Sequence, residues 1–468
     1  MSDILHGSTN KTLISMSLPI SIGMLSTFLF QVIDTYFVGQ LGPEALTALS
    51  FASTVYFLLV GLFIGLSVGV SILIGQAAGA GDIGLVKKAT RIALFICLLL
   101  SLVIAAAVIL LVDPIFTAFG AEEEILPLIR EYIVPLMAGT PLLTLGLLAG
   151  GILRATGNVT KPEVIMGIAG VINLVFDYAL IFGKWGLPEL GIQGAAYATV
   201  LSWVFVILGM LFLLLRDKLL DLTAKSARSF GDILKQIGKL AAPTVVPQIM
   251  GPFTMMYLTI LLARQSSAAV AAFGVAGRIE MLLLIGILGV STAITPFIAQ
   301  NAGAQQQKRI DAAIAFGGRA STYLGLLVAI VLVLFIKPIA GLFSADGAVI
   351  DNTSIYFYCI AFSYVFYGLY LITTSIYNGL ALPVNSLRIS LFKTLAFTVP
   401  LTLLGSIWGT TGIFLGVAAS NVLAGFYSSY EMRKTFRKAD SDLAHVNVWH
   451  EYGKDLRMVL RLGRKGSS

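Results

Sequence analysis

The chain carries twelve continuous apolar runs, each close to or above the ~20 residues that a helix needs to cross a bilayer. In the first half they lie at 13–39, 46–77, 89–111, 125–153, 160–182 and 193–215. In the second half they lie at 233–263, 268–301, 314–336, 353–378, 386–407 and 411–432. Continuous rather than alternating runs predict helices and exclude barrel strands. The sequence therefore predicts an all-α polytopic membrane protein with twelve transmembrane helices.

Composition agrees with lipid as the main solvent, since only 12% of residues are charged and the mean hydropathy is +0.91. Cys97 and Cys359 fall inside apolar runs, so we expect neither a structural disulfide nor a metal site there. The histidines lie only in the terminal segments, at His6, His445 and His450. This distribution argues against an intramembrane enzyme site, and we expect no enzymatic activity and no cofactor.

The basic residues define an orientation. With the N-terminus inside, 25 of the 31 lysines and arginines fall on the inner side and only 4 on the outer side. This bias predicts that both termini are cytoplasmic, in the inner membrane of a bacterium. The formal charge of +7 is explained in the same way, so no nucleic-acid partner is expected.

An internal repeat relates the two halves at an offset of 224 residues. Pro19 then falls on Pro243, and the segment 45–80 shares twelve identities with 269–304. Two pseudo-symmetric six-helix lobes around a central cavity follow, as in many transporters. The expected domains are an N-terminal lobe (1–215), a cytoplasmic linker (216–239), a C-terminal lobe (240–432) and a basic cytoplasmic tail (433–468).

Two acids at similar depth are candidates for cation coupling, because a carboxylate in hydrocarbon is costly. Asp34 and Asp177 both lie in the outer half of their spans, and Asn173 precedes Asp177 by one helical turn. If the two carboxylates meet, their repulsion favours a bound proton near neutral pH. A sodium ion held with Asn173 is the alternative metal ligand set. A simpler interpretation is that one acid hydrogen-bonds Tyr36 or Tyr178.

The C-terminal half lacks an equivalent acid pair, because Asp34 shifted by the repeat offset is Leu258. Glu280 and Arg278 are secondary candidates, although residues two apart do not face each other on a helix. For Lys393 we expect snorkelling towards the inner surface. Pro19, fifteen residues before Asp34, removes a backbone hydrogen bond, which predicts either a functional hinge or a fixed kink.

The chain resembles the multidrug and toxic compound extrusion (MATE) family over nearly its whole length. The resemblance rests on the motifs at 31–35, 38–42, 76–82, 173–177 and 191–196. It implies a V-shaped pair of six-helix lobes and drug efflux by proton or sodium antiport, and the position of the acids is similar to the DinF-like branch. By the same resemblance, the coupling cluster comprises Asp34, Asp177, Asn173 and Thr199, and Pro19 bends on protonation.

The predicted function is export of amphipathic or cationic drugs or dyes by a monomer in contact with membrane lipids. The candidate cavity residues are Gln31, Tyr36, Tyr178, Met255 and Met256. A flippase for lipid-linked oligosaccharides is the alternative. A cavity that handles a diphosphate should carry several cations, yet only Arg278 and Lys393 lie within spans, which favours the exporter. A membrane enzyme would need a nucleophile constellation that the sequence does not show.

Overall fold

The computed structural model describes residues 4–221 and 226–438. Within them the chain forms fifteen α-helices. In the first half these are α1 Thr9–Gly39, α2 Pro43–Gly79, α3 Ile83–Leu110, α4 Val112–Ala118, α5 Leu126–Ala155, α6 Thr160–Ile181 and α7 Gly191–Arg216. In the second half they are α8 Phe230–Ala263, α9 Ser267–Gly303, α10 Gln307–Gly341, α11 Gly347–Ile360, α12 Ser363–Gly379, α13 Pro383–Leu391, α14 Val399–Gly405 and α15 Gly409–Lys438.

Every predicted span corresponds to helix, and the predicted all-α membrane fold is confirmed. Among the described residues, ten helical stretches are long and apolar enough to cross a membrane, and the α11–α12 pair adds an eleventh. That pair bends by 64° at Ala361 and Phe362, so the run predicted at 353–378 is two helices rather than one. The short helix α4 was not expected from the sequence.

The last stretch, Pro383–Phe436, contains the two predicted runs that complete the set of twelve. Gly409 ends its first half in a left-handed backbone conformation, with φ at 71°. The chain then folds back, because a Cβ built on Gly405 would lie 2.2 Å from the carbonyl oxygen of Gly412. Further along the pair, Thr398 and Ser420 share a hydroxyl hydrogen bond of 2.6 Å. This antiparallel register makes α13–α14 and α15 two separate spans.

The described residues divide into two compact units. Residues 18–252 belong to the first, with Leu5 and its predecessors, and His6–Ser17 join the residues from Phe253 onward in the second. Both boundaries fall inside helices, α1 and α8, that contain prolines. Each unit thus includes a helical segment from the other half of the sequence.

The first half of α8 packs closely on α2 within the first unit. A Cβ on Gly65 would lie 2.4 Å from the Cα atom of Val245, and one on Gly69 would lie 2.4 Å from Cα of Ala241. Thr244 donates a hydrogen bond of 2.7 Å to the carbonyl oxygen of Gly65. Small residues that let helix backbones approach are a common basis of packing in membranes.

The segment between α7 and α8 is tied to the ends of neighbouring helices. Lys87 forms an ion pair of 3.2 Å with Asp221, and Asn158 donates to Asp217 at 2.9 Å. Helix α8 begins at Phe230, inside the predicted linker. Positions 222–225 of that linker, and positions 439–468 of the predicted tail with His445 and His450, lie outside the described residues.

Substitution of Gly65 by alanine should destabilise the protein by about 1–3 kcal/mol, because the added methyl group meets the backbone of Val245. Thermal unfolding in detergent measures the effect. Gly167→Ala is the matched control, since nothing lies within 4 Å of its built Cβ. Alanine is favoured over glycine in a helix by up to about 1 kcal/mol. Equal melting temperatures for the two variants would contradict the packing described above.

Candidate functional site

Helices α1 and α6 pack side by side in the same direction through the first unit. A Cβ on Gly23 would overlap the Glu163 carboxylate, and one on Gly170 would overlap the ring of Phe30. Glu163 is paired with Arg154 at 3.0 Å, which compensates its charge. Successive contacts along both helices therefore follow the same order, and the register brings the next turns together.

Asp34 and Asp177 meet one to two turns beyond Phe30 and Gly170. Their carboxyl groups lie within hydrogen-bonding reach of each other, and the Asp177 side chain is fully buried. As carboxylates both can only accept hydrogen bonds. Among residues 4–221 and 226–438, no donor reaches Asp34 Oδ1 or either oxygen of Asp177. A bound proton would supply the missing donor, and a cation would supply the missing positive charge.

Two tyrosines complete the surroundings of the acid pair. Tyr56 on α2 lies within electrostatic range of Asp34, and the buried Tyr132 on α5 lies within range of both acids. The ring of Tyr56 stacks on Trp203 at 6.1 Å between centroids. The sequence interpretation missed these tyrosines and considered other ones instead.

Tyr36 and Tyr178 belong to an aromatic group beyond the acids. Both rings lie 6.0 Å from the ring of Phe37, and both side chains are exposed on the unit. Phe182 closes the group with an edge-on contact to Phe37. Aromatic packing therefore accounts for the contacts of these two tyrosines.

Asn173 and Thr199 come together as the resemblance implies. The Asn173 amide donates a hydrogen bond of 3.3 Å to the Thr199 hydroxyl, one turn before Asp177 on α6. Both side chains are half-buried. The four expected coupling residues thus lie on three helices of one unit, α1, α6 and α7.

The remaining candidates lie apart from this cluster. Pro19 sits within the continuous helix α1. Gln31 is exposed on the first unit, and Met255 and Met256 are exposed on the second.

The second unit has a polar cluster of its own around Glu280. Its Oε1 atom accepts hydrogen bonds from Tyr356, at 2.9 Å, and from Tyr364. Arg278 is exposed on the same helix. Lys393 does not snorkel away as expected, because its ammonium lies over the rings of Tyr367 and Tyr370. Desolvation near Glu280 and two aromatic faces explains why it remains inside.

The repeat relates the two clusters. Tyr56 shifted by the offset of 224 is Glu280, and Tyr132 shifted by the same offset is Tyr356. Equivalent positions in the two units therefore carry polar groups, although the acids sit on different helices. Alignment of the repeat could have identified Tyr56 and Tyr132, since polar side chains recur there within apolar runs.

Comparisons with known proteins agree on one family. The sequence profile of the MatE family matches residues 19–179 and again 243–404, so the second match begins 224 positions after the first. The chain is 34% identical over 429 residues to a protein of Shewanella oneidensis named FAD transporter, which covers 91% of this chain and 95% of the relative. It is 27% identical over 344 residues to the probable multidrug resistance protein NorM of Thermotoga maritima, covering 73% and 74% of the two chains.

Solved structures are similar over nearly the full length. The Vibrio cholerae MATE transporter VcmN in the bent form superposes with a TM-score of 0.87 at 27% identity, covering 92% of this chain and 97% of that one. A transporter of the MOP superfamily from Pyrococcus furiosus, described as having a binding pocket of reverse polarity, superposes with a TM-score of 0.86 at 26% identity. The two cover 93% and 98% of each other's chains.

Asp177→Asn should stabilise the protein by about 1 kcal/mol, because the new amide can donate to Asp34 and removes an unpaired buried carboxylate. Thermal unfolding at neutral pH measures the change. As a control, Asp113→Asn alters an exposed acid paired with Arg130 and should shift stability by less than about 1 kcal/mol. A lower melting temperature for Asp177→Asn would show that the acid pair is already satisfied by other groups.

Proposed function

Because the chain belongs to the MatE family of membrane transporters, which are not enzymes, we propose that it exports small organic molecules in exchange for protons or sodium ions. The observation that carries this proposal is the buried pair of Asp34 and Asp177 without hydrogen-bond donors. Unsatisfied acids inside a membrane protein are expensive, and such groups commonly serve proton or ion pathways.

The exchange would use two states of the first unit. In the loaded state a proton shared by the carboxyls, or a sodium ion bound to them with Asn173, relieves their repulsion. In the unloaded state the two acids repel each other, which favours a different arrangement of α1 and α6. A ligand shifts such an equilibrium only by its differential affinity for the two states. The Asn173–Thr199 hydrogen bond, at 3.3 Å, holds the amide near the acids.

Helix α1 offers a way to transmit the change. Pro19 removes the hydrogen bond that would otherwise reach the carbonyl of Ser15, so α1 is weakest one residue beyond the boundary of the first unit. We propose that α1 bends near Pro19 when the acid pair changes its load, and that alternating access follows.

Two classes of cargo are compatible with these features. Amphipathic or cationic drugs and dyes are suggested by the multidrug resistance proteins among the relatives. The proposed contact residues are Gln31, Tyr36, Tyr178, Met255 and Met256. Aromatic anions are the second candidate, favoured by the FAD transporter at 34% identity and by the cation Lys393 within the second unit. For the cell, we propose a bacterial inner membrane with both termini cytoplasmic, as the distribution of basic residues indicates.

Transport should depend on Asp34. Proteoliposomes that contain the purified protein and a fluorescent cationic dye, under an imposed proton or sodium gradient, should show gradient-driven efflux that Asp34→Asn abolishes while dye binding persists. The gradient that drives efflux names the coupling ion.

The matched control for this experiment is Glu44→Gln, which neutralises an exposed acid in the first turn of α2. This variant should transport normally. If Asp34→Asn transports as well as Glu44→Gln, Asp34 does not carry the coupling, and Glu280 or a lipid-flipping function replaces the present proposal.

Pro19→Ala should slow transport severalfold and leave dye affinity unchanged, because it restores the hydrogen bond to Ser15 and stiffens α1. Initial efflux rates and equilibrium dye binding measure the two effects separately. Pro338→Ala, at an exposed position of α10, is the control for loss of a helix proline. Unchanged efflux in Pro19→Ala would identify Pro19 as a packing kink only.

A further inference from the structure

Lys393 occupies an unusual stretch of backbone. It lies in the π-helical turn Phe392–Thr398 between α13 and α14. The hydroxyl of Thr398 donates to the Lys393 carbonyl oxygen at 2.9 Å and is itself hydrogen-bonded to Ser420 on α15. π-Helical turns are uncommon and occur frequently at functional sites. The hydrogen bonds fix the point from which the Lys393 side chain extends.

The ammonium of Lys393 faces two tyrosine rings. It lies 5.2 Å from the ring centroid of Tyr367 and 5.5 Å from that of Tyr370. The two rings are 5.9 Å apart and inclined by only 22°, so they present their faces to the same cation. Tyr370 is held by a hydrogen bond of 3.0 Å to Ser390. Proteins that recognise organic ammonium ions use aromatic faces in this way.

Glu280 does not neutralise this cation directly. It lies within electrostatic range of Lys393 and Tyr367, but its Oε1 atom is already bound by the two buried tyrosines Tyr356 and Tyr364. Lys393 forms no ion pair with any residue of the described ranges 4–221 and 226–438. Because its side chain is only half-buried, the positive charge stays available to a ligand.

We propose that Lys393 is a specificity-determining residue that selects anionic aromatic cargo against organic cations. Its ammonium fills the recess formed by Tyr367 and Tyr370, which would otherwise accept a cationic ligand. The same charge can bind a phosphate or carboxylate, while the tyrosine rings provide apolar contact for an aromatic ring system. This inference rests on the proposed transport function and narrows its cargo to aromatic anions.

Equilibrium binding to the full-length protein in nanodiscs, without any gradient, tests the proposal. The probes are ethidium, an aromatic cation, and FAD, an aromatic anion. The wild type should bind FAD more tightly than ethidium. In Lys393→Gln, ethidium affinity should rise about tenfold and FAD affinity should fall about tenfold, each equivalent to about 1.4 kcal/mol.

Three further variants separate the recess from a general effect of charge. Lys393→Arg keeps the cation and should bind like the wild type. Lys337→Gln removes an exposed cation from the same unit and should leave both affinities unchanged. The double variant Lys393→Gln/Tyr367→Leu should lose the gain in ethidium binding, because one face of the recess is gone.

The proposal is overturned if Lys393→Gln leaves the ratio of the two affinities unchanged, or if Lys393→Arg shifts it as much as Lys393→Gln does. It is also overturned if the double variant keeps the gain. Failure of cation coupling is recognised separately, since Asp34→Asn should abolish gradient-driven efflux without altering the Lys393-dependent ratio. The two proposals therefore fail by different measurements.

Discussion

The burial of two carboxyl groups against each other is the interaction on which this interpretation depends. Hydrogen bonds or opposite charges normally compensate a buried acid, as Arg154 does for Glu163. Asp34 and Asp177 have no such partner among the described residues, so the first unit retains an acid pair that costs stability. Strain of this kind is characteristic of sites that alternate between two states. The close packing of α1 on α6 keeps the acids together in spite of their repulsion.

The two units solve the same packing problem with different chemistry. Their repeat places Tyr56 and Glu280 at equivalent positions, as it does Tyr132 and Tyr356. In the first unit the tyrosines surround an acid pair, whereas in the second they donate to a single acid. A duplicated scaffold has thus acquired one cluster that lacks a positive charge and one that includes Lys393. This difference allows the units to perform distinct tasks within one transporter.

Sequence patterns predicted the helices well because a span must be apolar and long, and lipid leaves the backbone no other choice. The bend between α11 and α12 was not predicted, since no proline or glycine marks it at 361–362. Asp34, Asp177, Asn173 and Thr199 were identified from position and resemblance. The environment of Lys393 was not, because its aromatic contacts come from α12, more than twenty residues away, and a hydropathy pattern carries no information on such contacts.

The position of the unit boundaries has a consequence for how the chain assembles during synthesis. Thr244 bonds to Gly65, and residues up to Pro252 belong to the first unit. That unit is therefore incomplete when the sixth span leaves the ribosome and can close only after the following span has emerged. His6–Ser17, translated first, must wait longest, until the second unit exists to receive them. A gene divided at the linker would thus yield two fragments, each lacking a helical segment that its own unit requires.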